Sequence, residues 1–183
     1  EAALEAIRLS SAFFGKGQFE SAQLEKDGET YILSSTIYGP YYQPLPKEKI
    51  PKDAEAWSKV PRTEREQSEV QTLHTKIYLT PGINSTSVKV YVDGPKNLPV
   101  TLELAFRLGG TIQPVTPKKG IDHTFLIKDG EYATYKKGND WIKIGPGVGT
   151  HKWTQLRGAL PKLQADCLYF TKYAPCEFEF TIE

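Results

Sequence analysis

The residues best suited to chemistry lie in one run, Gly145-Pro146-Gly147-Val148-Gly149-Thr150-His151-Lys152-Trp153-Thr154-Gln155-Leu156-Arg157-Gly158. In an extended chain His151, Trp153 and Gln155 share one side, because strand side chains alternate. An indole stacks on a sugar face. A guanidinium such as Arg157 pairs with a carboxylate or sulfate, and an imidazole transfers protons near neutral pH. Read structurally, the same residues are a core tryptophan, an arginine paired with a neighbouring acid and a histidine bonded to backbone. Gly145, Gly147 and Gly149 have the look of a nucleotide loop but sit between strands, not at a strand-to-helix crossover. Their expected role is backbone geometry: positive φ, or close approach of another strand.

A second aromatic group, Tyr38, Tyr41 and Tyr42, surrounds Gly39-Pro40 in the run Ile37–Pro44, which reads as a tyrosine-rich turn. It offers either a sugar-stacking platform or packing at the rim of the fold. The three histidines, His74, His123 and His151, show no metal-binding spacing, and two cysteines without a CxxC pair do not make a zinc site of the usual kind. There is no GxSxG and no P-loop. The sequence thus assigns no catalytic residue, metal or cofactor, and names His151, Trp153, Arg157, Tyr38, Tyr41 and Tyr42 as candidate ligand-binding residues. The pattern sets Cys167 and Cys176 on unlike faces, against a disulfide.

The elements that must position these residues are mostly strands. Residues 1–9 favour a short helix, with Leu4 and Ile7 on one face, followed by a linker to residue 17. Two Asp-Gly pairs, Asp27-Gly28 and Asp129-Gly130, signal hairpins. Residues 43–69 form a long polar loop with four prolines and the lone Trp57, and Asp53–Ser58 suits one short helix inside it. Strict alternation follows. In Val70–Thr80, Leu73, Thr75, Ile77 and Leu79 face one way and His74, Lys76 and Tyr78 the other. In Thr86–Asp93, Val88, Val90 and Val92 face in, with Lys89 and Tyr91 out. In Pro99–Arg107, Val100, Leu102, Leu104 and Phe106 face in, with Thr101, Glu103 and Arg107 out. Such patterns belong to antiparallel sheets covered on one face. The expected fold is all-β: a single domain over 1–183, an antiparallel β-sandwich of about ten to twelve short strands with a short N-terminal helix.

Composition agrees. The 183 residues are 39% hydrophobic and 25% charged, enough for one core, and the net charge is +1. That balance argues against a nucleic-acid partner, and no apolar run is long enough for membrane insertion. The chain opens on Glu1 and has no methionine, as expected of a mature form or a piece of a longer protein. Asn84-Ser85-Thr86 is an N-glycosylation sequon.

The run Leu102–Arg107, then Gly109-Gly110, then the Gly145-Pro146-Gly147 turn with His151, Trp153, Gln155, Leu156, Arg157 and Gly158, then Leu168-Tyr169-Phe170-Thr171, resembles the C-terminal β-sandwich of heparinase II/III-like bacterial polysaccharide-degrading enzymes. The resemblance covers roughly residues 70–183. It implies an upstream helical domain as a partner and a periplasmic or extracellular location. It carries over no catalytic assignment. Three functions follow as expectations: a noncatalytic module that binds glycan or supports a catalytic domain; a structural or protein-interaction domain, with 43–69 as contact surface; and a lyase or hydrolase with His151 as base and Arg157 holding a substrate carboxylate.

Overall fold

The computed structural model describes residues 1–11, 13–14, 22–52, 59–60, 63–151, 156 and 160–183. In chain order the described strands are β1 (Leu4–Ser11), β2 (Gln23–Asp27), β3 (Thr30–Tyr42), β4 (Gln67–Pro81), β5 (Thr86–Asp93), β6 (Pro99–Arg107), β7 (Thr111–Gln113), β8 (Thr116–Pro117), β9 (Thr124–Leu126), β10 (Ala133–Lys137), β11 (Asp140–Gly145), β12 (Ala165–Tyr173) and β13 (Cys176–Ile182), with one 3-10 turn at Lys47–Lys49. They form two sheets, one of five strands in the order β1-β6-β12-β9-β8 and one of eight in the order β2-β3-β4-β5-β13-β11-β10-β7. Among the described ladders only β9–β12 is parallel.

The core lies between the sheets, and alternation builds it. Leu73 and Ile77 of β4, Val88, Val90 and Val92 of β5, and Phe178 and Phe180 of β13 point inward from the large sheet. They meet Val100, Leu102, Leu104 and Phe106 of β6 and Leu168 and Phe170 of β12. Phe170 meets Phe180 edge-to-face with centroids 5.0 Å apart, and Phe106 stacks on Tyr135 at 4.7 Å. Each such buried side chain contributes about 1.5–3 kcal/mol. The expected antiparallel β-sandwich is therefore the fold.

Four local expectations are corrected. Residues 4–11 are a strand, not a helix. A bulge shifts the register between Leu4 and Ala6, so Leu4 opposes Phe106 while Ala6 opposes Ala105. The extra residue puts Leu4 and Ile7 on the same inward face three positions apart, which imitates helical spacing. The tyrosine-rich run is not a turn either: β3 continues through Tyr42 and pairs with β4, with an irregularity between Gly39 and Tyr41. Gly39 is required there, because a Cβ would sit 2.8 Å from the Phe13 ring. Asp129-Gly130 makes no hairpin: β9 belongs to the small sheet and β10 to the large one. The turn passes between sheets and is held by Gly147, whose N–H donates to Glu131 O at 2.7 Å and whose carbonyl accepts from Gly130 N at 3.0 Å.

The fourth correction concerns Thr101 and Glu103. They point away from the main core as their parity requires, yet both are buried. A second apolar cluster of Ala105, Cys167, Tyr169, Ala165 and Leu156, with Leu163 and Ala6 against it, covers the outer face of the small sheet. The polar loop also contributes a buried Leu45 and Arg65. Its predicted helix, Asp53–Ser58, and Trp57 lie outside the described residues. Cys167 and Cys176 are free thiols in different sheets.

Candidate functional site

Of this run, Gly145 ends β11 in the large sheet, and the segment from Gly147 to His151 crosses to the small sheet. A Cβ on Gly147 would lie 2.5 Å from Ile127 Cδ1, and one on Gly149 would lie 2.4 Å from the Ile127 carbonyl oxygen. Close approach is what these glycines permit. Gly149 N donates to Asp129 Oδ1 at 2.7 Å, and Gly149 bridges to Thr171 in parallel. His151 follows and is buried. Its Nε2 lies 3.1 Å from Val100 O and 3.0 Å from Lys172 O, and its backbone N–H donates to Thr171 Oγ1 at 3.2 Å. Two carbonyl acceptors require the proton on Nε2, so that nitrogen donates to the backbone of β6 and β12 and is not placed to act as a base. Trp153, Gln155 and Arg157 lie outside the described residues.

The three tyrosines are separated. Tyr41 is exposed and packs on the Phe13 ring, with centroids 4.8 Å apart. The Tyr42 hydroxyl accepts from Gln67 Nε2 at 3.4 Å. Tyr38 is 69% exposed and opposes Thr72 on the outer face of the large sheet.

That outer face carries the strongest constellation. The hairpin between β4 and β5 closes at Gly82 N to Ser85 O, 2.6 Å, and pairs Pro81 with Thr86. This register sets Tyr78 opposite Lys89, Lys76 opposite Tyr91 and His74 opposite Asp93. β3 adds Thr36 beside His74 and Ser34 beside Lys76. Tyr78 and Tyr91 meet edge-to-face, centroids 5.6 Å apart at 83°. Lys76 Nζ lies 5.6 Å from the centre of the Tyr78 ring. Two shallow cavities flank Tyr91. One, of about 180 Å3, is lined by Thr30, Tyr78, Thr80, Ser87, Lys89 and Tyr91. The other, of about 270 Å3, is lined chiefly by Ser34, Thr36, His74, Lys76, Tyr91 and Asp93.

Their polar groups differ in commitment. In the first cavity Lys89 bonds Glu179 at 3.0 Å, and this hydrogen bond with its charge raises the lysine pKa above the ordinary value. The Thr30 and Thr80 hydroxyls bond each other at 2.9 Å. In the second, His74 Nδ1 shares a 2.8 Å hydrogen bond with Thr36 Oγ1. Lys76 Nζ, the Asp93 carboxylate and His74 Nε2 have no hydrogen-bond or ion-pair partner among the described residues. A donor, an acceptor and an imidazole thus line one concavity beside an exposed aromatic ring, as binding sites for polar ligands require. The sequence carried the signal for this face in the outward positions of the two clean strands. It read them as solvent-facing because only the pairing register reveals that they converge.

Two further polar networks serve the scaffold. Asp166, buried at the end of β12, accepts from Gly109 N at 3.0 Å and Gly110 N at 3.2 Å, and its other oxygen lies 2.8 Å from His123 Nδ1. Glu103 is bound by Arg8 and by the Tyr169 hydroxyl. Among the described residues no three His, Cys, Asp or Glu side chains gather as for a metal ion, and no helix is long and apolar enough to cross a membrane.

No protein-family model matches the chain, and neither a curated protein nor a solved structure matches it. Any functional reading rests on the geometry.

Proposed function

We propose that this chain is a noncatalytic glycan-binding module whose ligand lies on the outer face of the eight-stranded sheet. The observation that carries the reading is the cavity of Lys76, Asp93 and His74 beside Tyr91, with three polar groups that have no hydrogen-bond or ion-pair partner among the described residues. A sugar presents an apolar C–H face and adjacent hydroxyls, each both donor and acceptor. The Tyr91 ring meets the first. An ammonium that only donates and a carboxylate that only accepts, lining the same cavity, meet the second. Hydrogen bonds to charged groups contribute about 1.5–3 kcal/mol each, and ordering a lysine side chain costs up to about 2 kcal/mol. Binding is therefore expected in the millimolar to micromolar range. The rigid sheet supports the reading, because it holds the three strands in fixed register without a mobile loop. A module of this kind keeps a polysaccharide close to a catalytic domain.

The test is native affinity electrophoresis in gels cast with soluble polysaccharides. The unmodified chain should be retarded by at least one polysaccharide, and Tyr91→Ala and Asp93→Ala should each abolish the retardation while circular dichroism stays unchanged. Retardation of both variants equal to that of the parent refutes the site.

A further inference from the structure

The geometry points to an extended, uncharged oligosaccharide as the occupant of this face, rather than a single sugar or a polyanion; we infer this on the basis of the glycan reading above. Length comes first. The two cavities are not separate sites, because Tyr91 lines both. One begins at Thr80 and Ser87 and the other ends at His74 and Asp93. Along β4 that is six residue steps, roughly 20 Å at the rise of an antiparallel strand. Tyr38, exposed and paired with Thr72, lies one outward position beyond Thr36 and His74. It extends the surface by roughly another 7 Å. A track with tyrosines at Tyr78, Tyr91 and Tyr38 and hydroxyls between them is several sugar rings long. A monosaccharide would fill one cavity and leave the other in water.

Charge decides the class. Across β2–β5 and β13 the register places five carboxylates on the outer face, Glu25, Asp27, Asp93, Glu177 and Glu179. Against them stand two lysines, Lys76 and Lys89, and Lys89 is already paired with Glu179. A uronate or sulfated chain laid along this track would meet one lysine with no ion-pair partner among the described residues and several acids of its own sign. Like-charge apposition of this kind opposes binding. An uncharged chain meets no such penalty and uses Asp93 as an acceptor for its hydroxyls.

The experiment is isothermal titration of the unmodified chain with neutral ladders, the gluco-, xylo- and manno-oligosaccharides from dimer to hexamer, and with oligogalacturonates of the same lengths at two salt concentrations. For one neutral series the hexamer should bind roughly tenfold or more tightly than the dimer, with little salt dependence. Tyr91→Ala should weaken every length roughly tenfold, whereas Tyr38→Ala should weaken the hexamer severalfold and leave the dimer unchanged. Equal affinity for dimer and hexamer overturns the extended track. Tighter binding of oligogalacturonate, falling steeply with salt, overturns the uncharged class. Neither result touches the glycan reading itself, which fails only if no oligosaccharide or polysaccharide binds the folded chain.

Discussion

Replacing Arg8 by methionine should cost the fold about 3–5 kcal/mol, although the residue lies far from the proposed glycan face. Glu103 points out from β6 under the cover of the small sheet and is 2% exposed. Arg8 Nε donates to its Oε1 at 2.6 Å, Nη2 lies 2.6 Å from the same oxygen, and the Tyr169 hydroxyl donates to Oε2 at 2.5 Å. Arg8 Nη1 also donates to Pro161 O at 3.0 Å, so one guanidinium ties the carboxylate to the covering segment. Methionine keeps most of the aliphatic stem and removes the charge. The carboxylate is then buried with one hydroxyl partner, and the loss is that of an uncompensated ion. Tyr169→Phe removes one charge-assisted hydrogen bond and should cost less, about 1.5–3 kcal/mol. The Arg8→Met/Glu103→Leu double variant removes both charges and should recover most of the single-variant loss, because a buried ion pair and an apolar pair of similar volume differ little in net stability. Urea unfolding monitored by circular dichroism gives all three values. The reasoning is refuted if Arg8→Met is within about 0.5 kcal/mol of the parent, or if the double variant is no more stable than Arg8→Met. Glycan affinity of the folded variants should not change.

Three other outcomes follow from the same geometry. His151→Ala should destabilise the chain by about 1–3 kcal/mol, since two buried carbonyls lose their donor, and should leave glycan retardation intact; loss of binding at unchanged stability would return His151 to a functional role. Gly149→Ala should lower the melting temperature more than Gly147→Ala, because its new Cβ meets the Ile127 backbone oxygen and the other meets a side chain that can turn; the reverse order refutes the close-approach reading. Burial pushes the Cys176 thiol up to about 11, whereas an unfolded chain releases that proton near 9. Raising pH through this window therefore favours unfolding, and Cys176→Ser should abolish that part of the alkaline loss of stability in pH-dependent urea melts.

The sandwich was legible because β4, β5 and β6 alternate without interruption, and period two survives any detail of loop chemistry. Errors fell where one residue of bulge or one long-range pairing changed the local pattern. Leu4 and Ile7 share a face through a bulge that only β6 can reveal. Tyr41 and Tyr42 flank glycine and proline, yet β4 is long enough to carry β3 past them. The Asp129-Gly130 turn is real, with Gly130 at φ +75°, but the strands on its two sides pair elsewhere. Turn chemistry fixes a reversal of the chain; it does not fix which sheet receives each arm.

The two sheets explain why the sequence drew attention to a different side from the proposed face. β6 and β12 are buried on both faces, β12 from Ala165 through Thr171 without a break. A histidine, three glycines and a run of leucines are what such a second layer needs. The histidine satisfies backbone carbonyls at the end of the sheet, the glycines allow close approach, and Leu156 and Leu163 supply apolar cover. Residues that looked like chemistry in Gly145–Gly158 are, where described, the price of burying that face. Among the described residues β4 and β5 have no such layer, and outward residues such as His74 and Lys76 are exposed and free to differ from core rules. Polar side chains at those positions look the same in sequence whether they are scattered or gathered. What gathers His74, Lys76, Tyr91 and Asp93 is the length of one hairpin loop, since moving the pairing by one residue would turn half of them into the core. A change in that loop which slips the register should therefore destroy the site and the fold together, whereas a substitution at Tyr91 or Asp93 should remove binding alone.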